Sequence, residues 1–139
     1  MEKTAMEGKC LCGAVHITTD LANDEMHVCH CGMCRTWGGG PLLSVSCQGK
    51  PSFRGEENIQ IYDSSEWAQR GFCKTCGTHL FYRMRDESQY FIPVGLFDNL
   101  GAIRFAGQIF IDKKPAYYTF ANETHNMTEA EVFEMFSQK

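Results

Sequence analysis

A single, mainly β domain is what this sequence predicts, and three observations lead there. Short runs with period-two alternation recur while helical periodicity is scarce, thirteen glycines punctuate those runs, and 139 residues is the length of one hydrophobic core. The first alternating run is Val15-His16-Ile17-Thr18, and residues 42–45, 59–62, 80–82, 90–92 and 108–111 read as further strands. Residues 117–120, Tyr-Tyr-Thr-Phe, add one more near the end. Pro93 lacks an amide donor and therefore marks a strand end, an edge or a bulge. One helix is expected, over about residues 128–138. Thr128-Glu129-Ala130-Glu131 has the spacing of a capping box, and Val132, Phe133, Met135 and Phe136 supply an apolar stripe. Neither a repeat nor a linker divides residues 1–139, so one domain is the expectation.

Charge and hydropathy exclude two classes of partner. Asp and Glu (17) outnumber Lys and Arg (13), for a net charge of −4, the wrong sign for a protein that coats nucleic acid. Apolar runs are only a few residues long, far short of the ~20 needed to cross a bilayer, so no membrane partner is expected. Residues 1–8, Met-Glu-Lys-Thr-Ala-Met-Glu-Gly, have no apolar core of the signal-peptide kind. The expectation is a cytoplasmic enzyme or binding domain.

Sulfur is the anomaly. Seven of the eight cysteines fall in three clusters: Cys10-x-Cys12, Cys29-x-Cys31-x-x-Cys34 and Cys73-x-x-Cys76. Disulfides need an oxidising compartment and stabilise most when they close long loops, which clusters this tight do not do. A thioredoxin-like redox pair would account for Cys73 and Cys76 alone. Thiolates one and two residues apart instead converge on a point, which suits a tetrahedral soft ion. Zinc fits better than magnesium, calcium or manganese, and the spacings fit an iron–sulfur cluster poorly. Seven ligands divide as four plus three. Cys10, Cys12, Cys73 and Cys76 form the favoured closed, structural set, which leaves Cys29, Cys31 and Cys34 as a three-ligand site with an open position. Spacing alone also permits Cys10 and Cys12 to pair with Cys29 and Cys31. Gly13 and Gly77 each follow the second cysteine of a cluster, where a metal knuckle turns tightly. Cys47 stands alone in a strand-like run and reads as a small buried hydrophobe.

Three blocks in order carry a resemblance: Gly8-Lys9-Cys10-Leu11-Cys12-Gly13-Ala14-Val15, Cys29-His30-Cys31-Gly32-Met33-Cys34-Arg35, and Phe72-Cys73-Lys74-Thr75-Cys76-Gly77-Thr78. They resemble the signature blocks of the glutathione-dependent formaldehyde-activating enzyme family, which includes centromere protein V. The similarity extends over about residues 5–120. It implies a β-tent of folded antiparallel sheets around zinc sites, akin to methionine sulfoxide reductase B. It also implies a structural zinc held by the first and third blocks and a catalytic-type zinc held by the second. The chain departs from the family's frequent Pro-Trp pair, carrying Pro115-Ala116-Tyr117 instead.

The activity implied is that of a carbon–sulfur lyase run in reverse, joining formaldehyde to glutathione as S-hydroxymethylglutathione. Arg35 could pair with a glutathione carboxylate or bond neighbouring carbonyls. His30, between two ligands, is expected to point away from the ion. Gly38-Gly39-Gly40 reads as a loop rather than an anion cradle, and Trp37, Trp67 and Phe72 read as core more than as pocket. Asp98 and His79 carry no assignment. Two other classes compete: a non-catalytic zinc module that binds a protein or ligand, and a thiol reductase, for which Cys47 is the sole candidate nucleophile.

Overall fold

The computed structural model describes residues 5–137. Residues 1–4, half of the N-terminal stretch read above, and 138–139, the first of which ends the expected helix, lie outside the described residues. In chain order the strands are β1 (Met6–Lys9), β2 (His16–Thr19), β3 (Leu21–Cys29), β4 (Leu42–Cys47), β5 (Ser52–Arg54), β6 (Ile59–Asp63), β7 (Ala68–Cys73), β8 (His79–Met84), β9 (Tyr90–Pro93), β10 (Arg104–Ile109) and β11 (His125–Met127). The helices are α1 (Gly32–Gly38) and α2 (Glu129–Ser137). The protein is mainly β, and it resolves into two compact units, one of described residues up to 24 plus 45–102, the other of 25–44 and 103–137.

In the first unit, β1, β2 and β5 form a three-stranded antiparallel sheet, and β6 to β9 form an antiparallel meander. Period-two patterning is legible in β2, where Ile17 and Thr19 are buried and Thr18 is exposed. Pro93 closes β9, one of the outcomes its missing amide allows. The core gathers around Phe81, whose ring lies 5.5 Å from that of Phe53 and 5.4 Å from that of Tyr90. Gly71 is its register partner on β7, and a Cβ there would collide with the Phe81 ring. Glycine is required for this close packing of side chain on backbone.

The second unit is built differently. β10 pairs in parallel with β3 on one side and with β11 on the other. The expected antiparallel sheets are found in the first unit, and the two pairings of β10 depart from that pattern. Parallel strands need long crossover connections, and both pairs have them, since the chain makes a long excursion from Cys29 to Arg104 and turns through residues 110–124 before β11. The strand expected at 117–120 is absent. Its residues serve another purpose: Lys114 Nζ donates to the Tyr118 carbonyl as well as to that of Pro115, while the Tyr118 and Phe120 rings pack around His30. The capping box at α2 forms reciprocally: Thr128 N–H donates to Glu131 Oε1 at 2.9 Å, and Glu131 N–H to Thr128 Oγ1 at 3.2 Å. Val132 is buried, whereas Phe133 and Met135 stay about half exposed, so capping specifies this helix more than burial does.

Candidate functional site

Two cysteine clusters form, one in each unit, and the partition is four and three. The Sγ atoms of Cys10, Cys12, Cys73 and Cys76 all lie within 4.8 Å of one another, as do those of Cys29, Cys31 and Cys34. All eight cysteines are free thiols. Either cluster could hold a metal ion.

The four-cysteine cluster is made by two tight turns facing each other. Gly13 N–H donates to the Cys10 carbonyl and Gly77 N–H to the Cys73 carbonyl, at 3.1 and 2.8 Å. Both glycines have positive φ, 79° and 77°, a conformation other residues rarely adopt. Backbone amides then turn toward sulfur: Val15 N–H reaches Cys10 Sγ at 3.3 Å and Cys76 N–H reaches Cys73 Sγ at 3.5 Å. Two side chains complete the shell. Asn58 Nδ2 donates to Cys73 Sγ at 3.0 Å, and the Thr78 hydroxyl lies 3.1 Å from Cys76 Sγ while accepting the Leu11 amide.

The donor set fits a tetrahedral ion. Zinc–sulfur bonds of about 2.3 Å give a tetrahedron with edges of about 3.8 Å. The Cys10–Cys12 and Cys12–Cys73 sulfur separations are 3.6 and 3.7 Å. Electrostatics agree. Hydrogen bonds from the Thr78 side chain and backbone pull Cys76 down to about 5. Cys73 is also lowered, because backbone bonds from Cys76 and Thr75 outweigh its desolvation. Cys12 is pushed up to about 12: the Ala14 backbone bond pulls it down, but desolvation and bonds with Cys10, Cys76 and Cys73 prevail. Four sulfurs this close ionise together only around a cation.

The three-cysteine cluster sits where β3 ends and α1 begins. Cys29 is the last residue of β3, and His30 N–H still donates to the Ile109 carbonyl at 3.2 Å, extending the pairing by one residue. Cys31 is the N-cap of α1, its sulfur accepting the Cys34 amide at 3.4 Å. Cys34 is buried within the helix. Cys29 is held well above the usual thiol range, first by its hydrogen bonds with Cys31 and Cys34, then by burial. Without a cation the three sulfurs share protons. With one they offer three soft donors and leave a tetrahedral position open.

α1 was not expected, since seven residues are too few for a readable period. It changes the meaning of the glycine run: Gly39, at φ 82°, is the C-cap, and its N–H donates to the Arg35 carbonyl at 2.8 Å. That amide is committed to the helix end and holds no anion. Arg35 Nε donates to the His30 carbonyl at 2.9 Å, the neighbouring-carbonyl role. His30 is wholly buried, with Nδ1 2.7 Å from the Tyr118 hydroxyl and Nε2 2.7 Å from Gln108 Oε1. Gln108 Nε2 donates onward to Thr124 Oγ1 at 2.9 Å. Gln108 Oε1 can only accept, so His30 carries its proton on Nε2 and Nδ1 accepts from Tyr118. Burial foremost lowers the His30 pKa and keeps the ring neutral.

Sequence reasoning missed Asn58 and Thr78 at one cluster, and Gln108, Tyr118 and Thr124 behind the other. Of these only Thr78, beside a cluster, carried any signal. Cys47 is buried, and burial pushes its thiol up, the setting of a packed hydrophobe. Trp67 is half exposed and Asp98 is exposed. His79 is lowered, first by burial and then by the Arg70 charge. Its folded-state pKa thus lies below the unfolded value of about 6.5. As pH falls through that value the unfolded chain gains a proton that the folded chain does not. Stability is unaffected above it and declines below it, until the folded pKa is reached. Urea melts of wild type and His79→Asn should therefore diverge only below about pH 6.5, wild type losing at most about 1.4 kcal/mol more per pH unit.

Comparison with known proteins places these clusters in context. Residues 5–113 match the family described as glutathione-dependent formaldehyde-activating enzyme. An uncharacterized lyase of Schizosaccharomyces pombe is 42% identical over 127 residues, covering 91% of this chain and 93% of that protein. A Podospora anserina protein, named as a candidate glutathione-dependent formaldehyde-activating enzyme, is 31% identical over 97 residues, and the match covers 60% of this chain but 41% of that longer protein. A crystal structure from Rhodobacter sphaeroides superposes with a TM-score of 0.60 at 28% identity, covering 69% of this chain and 91% of that one.

Proposed function

This chain belongs to the glutathione-dependent formaldehyde-activating enzyme family, and on that premise we propose that it is a carbon–sulfur lyase-type enzyme joining a small thiol, glutathione foremost, to formaldehyde. One observation carries the reading: the two sulfur clusters are unequal, four donors in one and three in the other. Cys10, Cys12, Cys73 and Cys76 hold a structural zinc, and Cys29, Cys31 and Cys34 hold a second. When bound there, that second ion supplies a positive charge and an open coordination position suited to a fourth sulfur.

The protein's own residues do the rest. Three thiolates outweigh the charge of a divalent ion, which favours capture and orientation of a thiol over generation of hydroxide. Cys31 and Cys34 are held on the first turn of α1 and Cys29 on a paired strand, so the donors are fixed before the ligand arrives. His30 keeps both ring nitrogens engaged and braces the loop between two of those donors. Arg35 uses Nε on that same loop, which leaves its Nη groups to meet a carboxylate of the thiol. The chemistry is an addition: the sulfur–carbon bond forms, the carbonyl π bond breaks, and the thiol proton ends on the former carbonyl oxygen.

Exchange NMR of thiol and formaldehyde, with zinc-loaded protein, measures the rate directly. Cys31→Ser should lower the catalysed rate by about two orders of magnitude while the four-cysteine cluster keeps its ion. Equal rates for wild type and Cys31→Ser would leave a zinc module without this activity.

A further inference from the structure

The first unit contains a cavity of about 410 Å³, none of whose lining residues is a cysteine. It is large enough for a small-molecule ligand. Its apolar wall includes Ile59 and Ile61, and its charged groups are two cations and two anions, Lys50 and Arg83 against Glu56 and Glu87.

Arg83 is the best-fixed of these. Its side chain is 17% exposed. Nε donates to Gln69 Oε1 at 3.0 Å and Nη1 to the Tyr90 hydroxyl at 2.9 Å. The guanidinium also lies over the Phe81 and Tyr90 rings, 5.1 and 5.7 Å from their centroids. Nη2 has no hydrogen-bond partner among the described residues. A guanidinium held on three sides with one edge unused is a preorganised carboxylate receptor.

Glu87 sets the rest of the charge pattern. It has φ 60°, one of two non-glycine residues with positive φ among the described residues, in the turn between β8 and β9. That conformation brings Oε1 within reach of three groups: the Tyr90 hydroxyl at 3.0 Å, Arg83 Nη1 at 3.5 Å and Lys50 Nζ at 3.6 Å. Glu56 stands on a short 3-10 turn, exposed and with no ion pair among the described residues. A ligand of one charge would be attracted by one pair and repelled by the other. A small zwitterion satisfies both.

We propose that this cavity binds the α-amino acid head group of a small molecule, its carboxylate on Arg83 Nη2, its ammonium toward Glu56, and its hydrocarbon part against Ile59 and Ile61. Free amino acids carry that group, and so does the γ-glutamyl end of glutathione. The site does not depend on the cysteine clusters or on the reaction proposed for them.

The zinc-loaded full chain is titrated by NMR with L-leucine and, separately, with S-methylglutathione, whose sulfur carries no ionisable proton. Saturable shifts of the Arg83 Nε–H and Tyr90 amide signals are expected with at least one, and whichever binds identifies the source. The deaminated and decarboxylated analogues, 4-methylpentanoate and 3-methylbutylamine, should each bind about ten-fold more weakly than L-leucine, or, if only S-methylglutathione binds, show no saturable shift. Arg83→Met, which lacks the first reporter, should abolish the shift of the Tyr90 amide. Glu56→Gln, an exposed change that leaves folding intact, should weaken binding about five-fold. Absence of saturable shifts with both zwitterions, single-charge analogues that bind as tightly as L-leucine, or an unchanged affinity in Glu56→Gln would overturn the proposal.

Discussion

If both clusters bind zinc as proposed, Cys73→Ser is expected to destabilise the protein by about 5 kcal/mol or more and to reduce its metal content from two ions to one. Cys73 is fully buried at the end of β7 and gathers more of its cluster than any other member. Its sulfur lies 3.7 Å from Cys12 Sγ, accepts the Asn58 amide, and accepts the Cys76 backbone. Its carbonyl accepts the Gly77 amide that closes the knuckle. Serine offers a harder, less readily ionised oxygen on a shorter bond, so the tetrahedron loses a corner and both turns lose their common anchor. Because the cluster joins the segment before β2 to the turn after β7, ion binding here is folding free energy. Urea melts with and without chelator measure the effect. Chelation should bring wild type down to the Cys73→Ser midpoint and leave the variant little changed. A wild-type midpoint indifferent to chelator would show that the four sulfurs hold nothing that matters to folding.

The second large effect is at His30. His30→Ala should cost about 4 kcal/mol, because three losses coincide. A wholly buried ring leaves a cavity, and Gln108 Oε1 and the Tyr118 hydroxyl lose their 2.7 Å partner. The Tyr118 ring, stacked 5.5 Å away, also loses contact. Tyr118→Phe removes one hydrogen bond without opening a cavity and should cost about 1 kcal/mol. The two variants therefore separate packing from polar satisfaction, with chemical denaturation as the readout. If His30→Ala cost no more than Tyr118→Phe, the buried chain from Thr124 through Gln108 and His30 to Tyr118 would contribute little to stability.

Much of the architecture was legible locally. Strands β2, β4, β6, β8 and β9 announced themselves by alternation and β-branched or aromatic content, and α2 by its capping box, whereas the expected run 108–111 overlaps β10 only at Gln108 and Ile109. Those that escaped notice have physical reasons. β3, Leu-Ala-Asn-Asp-Glu-Met-His-Val-Cys, carries a polar stretch whose pairing with β10 comes from a distant segment. β7 buries Arg70 and Gly71, residues that look unlike a core strand until Phe81 and Tyr82 are placed over them. β5 and β11 have three residues each, below the length at which any pattern shows. Tyr117 to Phe120 misled in the opposite sense, an aromatic run recruited for packing around a histidine instead of a ladder.

For the cysteine clusters the division is just as clear. Cysteine spacing alone determined that the sulfurs would cluster, because short Cys-x-Cys and Cys-x-x-Cys turns bring ligands together wherever they lie. It also marked Gly13 and Gly77, since a knuckle needs a left-handed residue at a known place. Which clusters meet is a long-range matter, and only the folded chain brings Cys10 and Cys12 to Cys73 and Cys76 while leaving Cys29, Cys31 and Cys34 together. The same holds for the neutral state of His30, the Asn58 bond to sulfur, and the cavity at Arg83. Each is set by partners many residues away, and no local pattern encodes a contact whose two halves are separated along the chain.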